Sequence, residues 1–458
     1  MTHHTRLMLT VYQGTGLIRE RRKLTLDKGI NIVNFTDVAA SIKPETVKFV
    51  SLTDPDGTRV LEQNYVYDLV SSEALLRRFI DETITVTAED GTVYTGKLLN
   101  AANQIVLQHE HGQLSVLQSA NLRDMQFPSL PDGLITRPTL RWSIFANQAG
   151  EHEIELTYLT HNMTWNATYN VLLARGNQHL NLNGWITIEN HSGTTYHNSK
   201  LKCIGGEISI IPQQQTLSFV RRYANTKFMM RSDDNFENVE QRDLFEYKLY
   251  DVPYLTTIRN NEIKQIEFVI AQHVPAKTYF VCSKENSDRF SYRHADEPDL
   301  ERYLLTEKLR AAVYLQFSTT KDGIDADLPA GDIRVYQEDV DGAALLIGEN
   351  KIKHTPKGEE VTIYLGKAFD IIGERTPTHF ELIGEKVLQE SIEIKLRNRK
   401  SSEAAEVRVP ERLFRWSNWQ ILNANMDYTQ TDAANIEFRL TLPPDGEGII
   451  RYTVQYSW

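Results

Sequence analysis

Histidines set among carboxylates are the residues of this chain best suited to acid–base or metal chemistry. His354 stands in GENKIKHTPKGEEVTIYLGKAFD, Gly348 to Asp370, with Glu349, Glu359 and Glu360 nearby. Imidazole and carboxylate are ligands for a borderline divalent ion and partners for proton transfer. The intervening Thr355-Pro356-Lys357-Gly358 reads as a turn with the glutamates on either side, so a hairpin accounts for the same residues. His109 and His111 in QHEHG stand two apart; at a strand end they would share one face and, given a third ligand, chelate, but with no third ligand in view a hairpin with solvated histidines is the expected reading. His161 in LTHNMTW lies between Tyr158 and Trp165, where a hydrogen-bonded core histidine is the ordinary case. His191 precedes Ser192, yet adjacent residues of a strand point to opposite faces and make no direct nucleophile–base pair.

Other chemistry-bearing groups are weaker signals. Gly205-Gly206 lacks the further glycines and helix of a phosphate loop and reads as a bulge or strand crossing. Arg397, Arg399 and Lys400, with Arg408 and Arg412, are expected to be a solvated hairpin end. The C-terminal RYTVQYSW puts Tyr452, Tyr456 and Trp458 on alternate positions. Such an aromatic stripe is either core or, on an open edge, a contact surface for a subunit or partner.

The elements that would carry these residues are strands. Leu7, Leu9 and Val11, then Ile30, Ile32, Val33 and Phe35, recur at strand spacing between turns rich in Gly and Asp. Ser71-Ser72-Glu73 reads as a helix start, with Leu75, Leu76, Phe79 and Ile80 as its apolar stripe. Five short segments follow (TITVTAED, TVYTGKLL, NQIVLQHE, QLSVLQ and LRDMQF), which is how a small SH3-like or Sm-like barrel would be written. The expected fold is all-β: multidomain β-sandwiches with that barrel inserted. The expected divisions are an N-terminal β domain at 1–70, the barrel at 71–127, a linker at 128–135 and a β-sandwich region at 136–458. Loops are expected near 221–243 and 286–304.

Bulk properties narrow the function classes. A net charge of −11 over 458 residues opposes general nucleic-acid binding. No apolar run is long enough for a membrane helix, and the N-terminus lacks the parts of a secretory signal. Cys203 and Cys282 sit in apolar runs and cannot make a disulfide framework, which fits a reducing cytoplasm. No cofactor is implied.

From about Glu151 onward six segments follow one another in order: LTYLTHNMTWNATYNVLL, LNGWITIENHSGTTYHNSKLKCIGGEI, FEYKLYDVPYLTTIRNNEIKQI, LPAGDIRVYQED, GENKIKHTPKGEEVTIYLGKAFDIIGER and EIKLRNRK. In these segments the chain resembles the bacterial mucoidy-inhibitor-A-like proteins, a family whose central β domain has unknown function. The opening VYQGTGLIRERRKLTLDKGINIVNFTDVAASIKPETVKF is similar to the β domain that begins such proteins. Many members carry a long coiled coil where Ser71 to Phe127 stand here. The resemblance implies a sandwich-rich fold and no established chemistry.

The expectation is therefore a non-enzymatic binding or assembly scaffold, acting through sheet edges, loops and the barrel on a protein partner or on itself. A homo-oligomer or filament is one form of it, and neither nucleic acid nor membrane is an expected partner. The competing class is a hydrolase whose site the fold would assemble from His161, His354, Glu349 and Glu359. It requires that two of His161, His191, His273 and His354 meet a carboxylate in one cleft.

Overall fold

The computed structural model describes residues 7–36, 38–66, 72–101, 104–129, 138–206, 239–244, 247–284 and 305–458. Residues 130–135 of the linker at 128–135, most of the 221–243 loop and all of the 286–304 loop lie outside the described residues. Of the described residues 69% are strand and 3% helix, arranged in several sheets. The fold is all-β and multidomain. Period-two burial explains it: Met163–Leu173, MTWNATYNVLL, alternates buried and half-buried without a break, so one face of the strand must be covered.

The chain forms two compact units. The first comprises residues 1–165, 188–204 and 242–264. In it a seven-stranded sheet runs in the order Glu240–Leu244, Tyr247–Ile258, Tyr196–Gly205, Leu7–Val11, Thr15–Leu26, Gly150–His161, Lys48–Ser51. A three-stranded sheet runs Gly29–Thr36, Thr139–Ala146, Thr58–Val66. The two pack face to face through Trp142, whose ring lies 5.1 Å from Phe35 and 5.4 Å from Phe49. Its indole N–H donates to Gln63 Oε1 at 2.9 Å, so a large apolar side chain is buried without orphaning its donor.

The helix Ser72–Arg78 precedes five strands, Thr83–Ala88, Val93–Asn100, Gln104–Gln108, Leu114–Gln118 and Leu122–Gln126. These form a sheet of their own, with Leu122–Gln126 and Leu114–Gln118 at the ends of the strand order. Phe79, Ile84, Val86, Leu98, Ile105 and Leu107 make its core. Ile80, expected on the helix stripe, lies past the last helical residue and is exposed.

The second unit comprises residues 166–187, 205–241 and 265–458. Its sheet is organised around Glu360–Ile383, a 24-residue strand. Its residues 360–375 pair with Glu307–Ser318 and its residues 371–383 with Val387–Asn398, so 372–375 are paired on both sides. Val387–Asn398 continues to Glu447–Ser457, which pairs in turn with Trp419–Ala424.

One side-chain device closes a strand end in each unit. Asn190, fully buried, donates through Nδ2 to the carbonyls of Thr194, Ile258 and Arg259 and accepts the N–H and hydroxyl of Ser192. Gly193 completes that turn at φ +88°, where a Cβ would stand 2.4 Å from Ala40 Cβ. Asn398, also fully buried, donates to Glu403, Leu442 and Pro443 and accepts the Lys400 N–H.

Candidate functional site: an edge cleft and two buried carboxylates

The histidines expected to do chemistry are held apart in local structure. His354 Nδ1 accepts the Ala330 N–H at 3.1 Å. Glu349 pairs with Arg334 at 3.0 Å. Glu359 is exposed, and its backbone N–H and carbonyl both bond to Thr319. His161 ends the strand Gly150–His161; its backbone N–H donates to Ser41 O and its carbonyl accepts the Ser41 hydroxyl. His191 turns Nδ1 to the amide oxygen of Asn261 at 3.1 Å. His161 and His191 belong to the first unit and His273 and His354 to the second. Among the described residues no three of His, Cys, Asp and Glu gather into a group that would hold a metal ion.

Several finer readings resolve to local structure, and one, the C-terminal tyrosines as a contact surface, is corrected. His109 and His111 lie in the turn after Gln104–Gln108 and not on the strand, so alternation no longer aligns them. His109 is already engaged at both ring nitrogens, with Thr95 O at 3.0 Å and Ser115 Oγ at 2.7 Å. Ser192 is fully buried and bonded to Asn190 and Tyr196. Tyr452 and Tyr456 offer no surface. Their strand is paired on both sides, so their rings face the core at 3% and 1% exposure. Trp458 is half-buried, its ring 6.0 Å from that of Trp416. The basic run is largely neutralised: Arg397 pairs with Glu374, Arg399 with Glu447, Lys400 with Glu403 and Arg408 with Glu406.

A buried charged cluster surrounds Tyr452. Arg375 and Glu411, 7% and 5% exposed, pair through Nε at 2.9 and 3.1 Å, and the Tyr452 hydroxyl donates to Glu411 Oε2 at 2.5 Å. Burial opposes the Arg375 charge, but the Glu411 carboxylate outweighs it and raises the guanidinium pKa. Burial, reinforced by Glu411, pushes the Tyr452 hydroxyl well above the ordinary tyrosine value. Beside it the Glu390–Arg415 pair is also buried, and Tyr456 is raised by burial and then by Glu390. Every member has a partner within the core, so the arrangement fixes packing and leaves nothing to offer a substrate.

The first unit holds a differently balanced carboxylate. Asp251 Oδ2 is approached by Arg242 at 3.4 Å, Lys202 at 3.6 Å and Lys200 at 3.7 Å, while its buried Oδ1 has no hydrogen-bond partner. Lys200 and Lys202 stand two apart in SKLKC, a spacing that puts both on one strand face, the only local hint of the cluster.

The accessible feature of this unit is a cleft of about 520 Å³ between the edge strands Lys48–Ser51 and Thr58–Val66. Leu52 N–H donates to Glu153 O, so antiparallel alternation directs the backbone groups of Phe49 and Ser51 away from the partner strand. Asn147 N–H donates to Gly57 O, and the same alternation turns those of Val60 away from Thr139–Ala146. Backbone groups of Phe49 and Ser51 on one edge and of Val60 on the other thus border a cleft walled by Val47, Phe49, Val60 and Leu61. Gln63 Nε2, donating to Pro44 O at 2.8 Å, ties the two edge segments together. Ser51, also in the wall, places Oγ 3.4 Å from His152 Nδ1, whose Nε2 is 3.1 Å from Gln148 O. Ser51 and His152 are 101 residues apart, and no motif joins them. No protein-family model matches this chain, and no curated protein matches it.

Proposed function

We propose that this protein is a non-enzymatic binding scaffold that takes up an extended peptide segment by strand addition at the cleft between Lys48–Ser51 and Thr58–Val66. The observation that carries this reading is the pair of facing sheet edges with backbone groups turned outward. An added strand would satisfy those groups, and the apolar walls would select alternate side chains. The five-stranded sheet, read as an SH3-like barrel, would supply a second grip. Two buried free cysteines support a reducing, cytoplasmic setting. Among the described residues no helix is long and apolar enough to cross a membrane. The likeness to the mucoidy-inhibitor-A-like proteins belongs to the same reading and rests on the sequence segments alone. Panning the protein against a random-peptide phage library should enrich alternating apolar sequences. N-methylation of every second peptide nitrogen should abolish their binding. Enriched peptides indifferent to N-methylation, or no enrichment, would remove the proposal.

A second reading, a hydrolase, is favoured by the Ser51–His152 contact, in which a backbone carbonyl orients the imidazole. It requires fluorophosphonate labelling that Ser51→Ala abolishes. Absence of labelling leaves the Ser51–His152 contact as a hydrogen bond that braces the cleft wall.

A further inference from the structure

In the second unit Lys367 lies opposite Ala312 and Ile372 opposite Arg310, so residues 368–371 face Ala311 alone and form a bulge, with Ile371 kept in the core. The bulge thrusts out Phe369, 95% exposed and the most exposed large apolar side chain among the described residues. Bulges re-aim side chains, and this one aims an aromatic ring into solvent. Phe369 borders a cleft of about 270 Å³ walled by Leu173, Phe280, Val313, Ile347 and Leu365. Leu345, in register with the cleft residue Gln337, adds a further exposed apolar side chain at 52%.

The polar groups of this wall select an apolar occupant. Gln337 Nε2 donates to Asn177 Oδ1 at 2.7 Å. Lys400 pairs with Glu403 at 2.8 Å, with Nζ 5.3 Å from the centre of the Phe280 ring. Lys367 and Asp370 bring opposite charges to the mouth. A charged ligand therefore meets both signs at the mouth, whereas an aromatic ring meets the side chains of Leu173, Val313, Ile347 and Leu365. A ring of that kind projects beside the cleft on the same molecule.

We infer that a second copy of this chain covers this face, Phe369 of each protomer entering the cleft of the other. Knob and hole are adjacent, so a two-fold axis between them satisfies both at once and the contact closes as a dimer instead of propagating. Burial of exposed aromatic and aliphatic groups supplies the drive. The surface is separate from the peptide cleft of the first unit, so either proposal can fail alone.

Sedimentation equilibrium of the full chain up to about 100 µM should show a reversible monomer–dimer equilibrium. Phe369→Asp should weaken it by at least about tenfold while leaving the circular dichroism spectrum and melting curve unchanged, because the side chain is solvent-exposed. Leu365→Trp, which fills the hole, should also lose self-association. A mixture of the two variants should recover a heterodimer, since one intact knob still meets one intact hole. A wild-type chain that stays monomeric, or a Phe369→Asp chain that dimerises as well as wild type, would overturn the inference.

Discussion

Glu411 and Asp251 are both carboxylates taken out of water on strands, and they are served very differently. Glu411 receives two bonds from one guanidinium and a third from a tyrosine. Asp251 has three cations at 3.4 to 3.7 Å around one oxygen and nothing on the other. The cations differ in exposure as well: Arg375 is buried, whereas the side chains of Lys200 and Arg242 are 39% and 55% exposed. A saturated, dry ion pair commits its partners to one geometry. A loosely ringed one leaves its cations free to exchange with water or salt.

The largest expected effect follows from breaking the dry pair. Glu411→Gln should cost about 3–5 kcal/mol in urea denaturation, because it strands Arg375 in the core. The double change Arg375→Met with Glu411→Leu should recover most of that loss. A single-variant loss below about 1 kcal/mol would erase the contrast with Asp251. Tyr452→Phe removes one bond to a charged group and should cost about 1.5–3 kcal/mol.

High pH is the next lever. Tyr452 and Tyr456 in the second unit, and Tyr158 and Tyr196 in the first, are all raised above 10.0, burial being the largest cause. Unfolded tyrosines ionise first, so the stability these groups confer is full below pH 10.0 and drains away as pH rises beyond it. Phenolate absorbance should therefore appear for these side chains only together with unfolding. Ionisation of all 20 tyrosines in a still-folded chain would contradict their burial.

Asp251→Asn should cost about 1 kcal/mol or less, and added salt should shrink that cost further while leaving the Glu411→Gln penalty nearly intact. Equal salt dependence of the two variants would dissolve the distinction. The smallest effect is a null one. Burial pushes the Cys282 thiol up to about 12 and Cys203 higher still, so neither should react with a thiol reagent until the protein is denatured.

Alternation made the strands legible: GEHEIELTYLTH and MTWNATYNVLL announce their faces in their own letters. The same signal found the short helix, with an error at Ile80, where the chain had already turned. It could not tell whether Glu447–Ser457 was an edge. That depends on Val387–Asn398 and Trp419–Ala424 arriving on either side, and so the tyrosine stripe stayed ambiguous until the pairings were known. Charged residues misled for a related reason. Glu411 in AEVRVPER falls in step with Ala405, Val407 and Val409, and the partners that make its burial tolerable, Arg375, 36 residues earlier, and Tyr452, 41 residues later, leave no mark beside it. Nearness in sequence also promised too much at His354, because Glu349 is held across the hairpin by Arg334. The edge cleft left no trace in composition, since its working groups are peptide bonds.

Glu360–Ile383 carries one further consequence. Because residues 360–375 of this single strand are laced to Glu307–Ser318 and residues 371–383 to Val387–Asn398, with 372–375 held by both, neither neighbour can peel away without loosening the same backbone. The two halves should therefore open as one event, and amide protons on both flanking strands should exchange with deuterium at a common, slow rate. A protease would then meet an all-or-nothing target there, with resistance governed by how rarely that shared thread lets go.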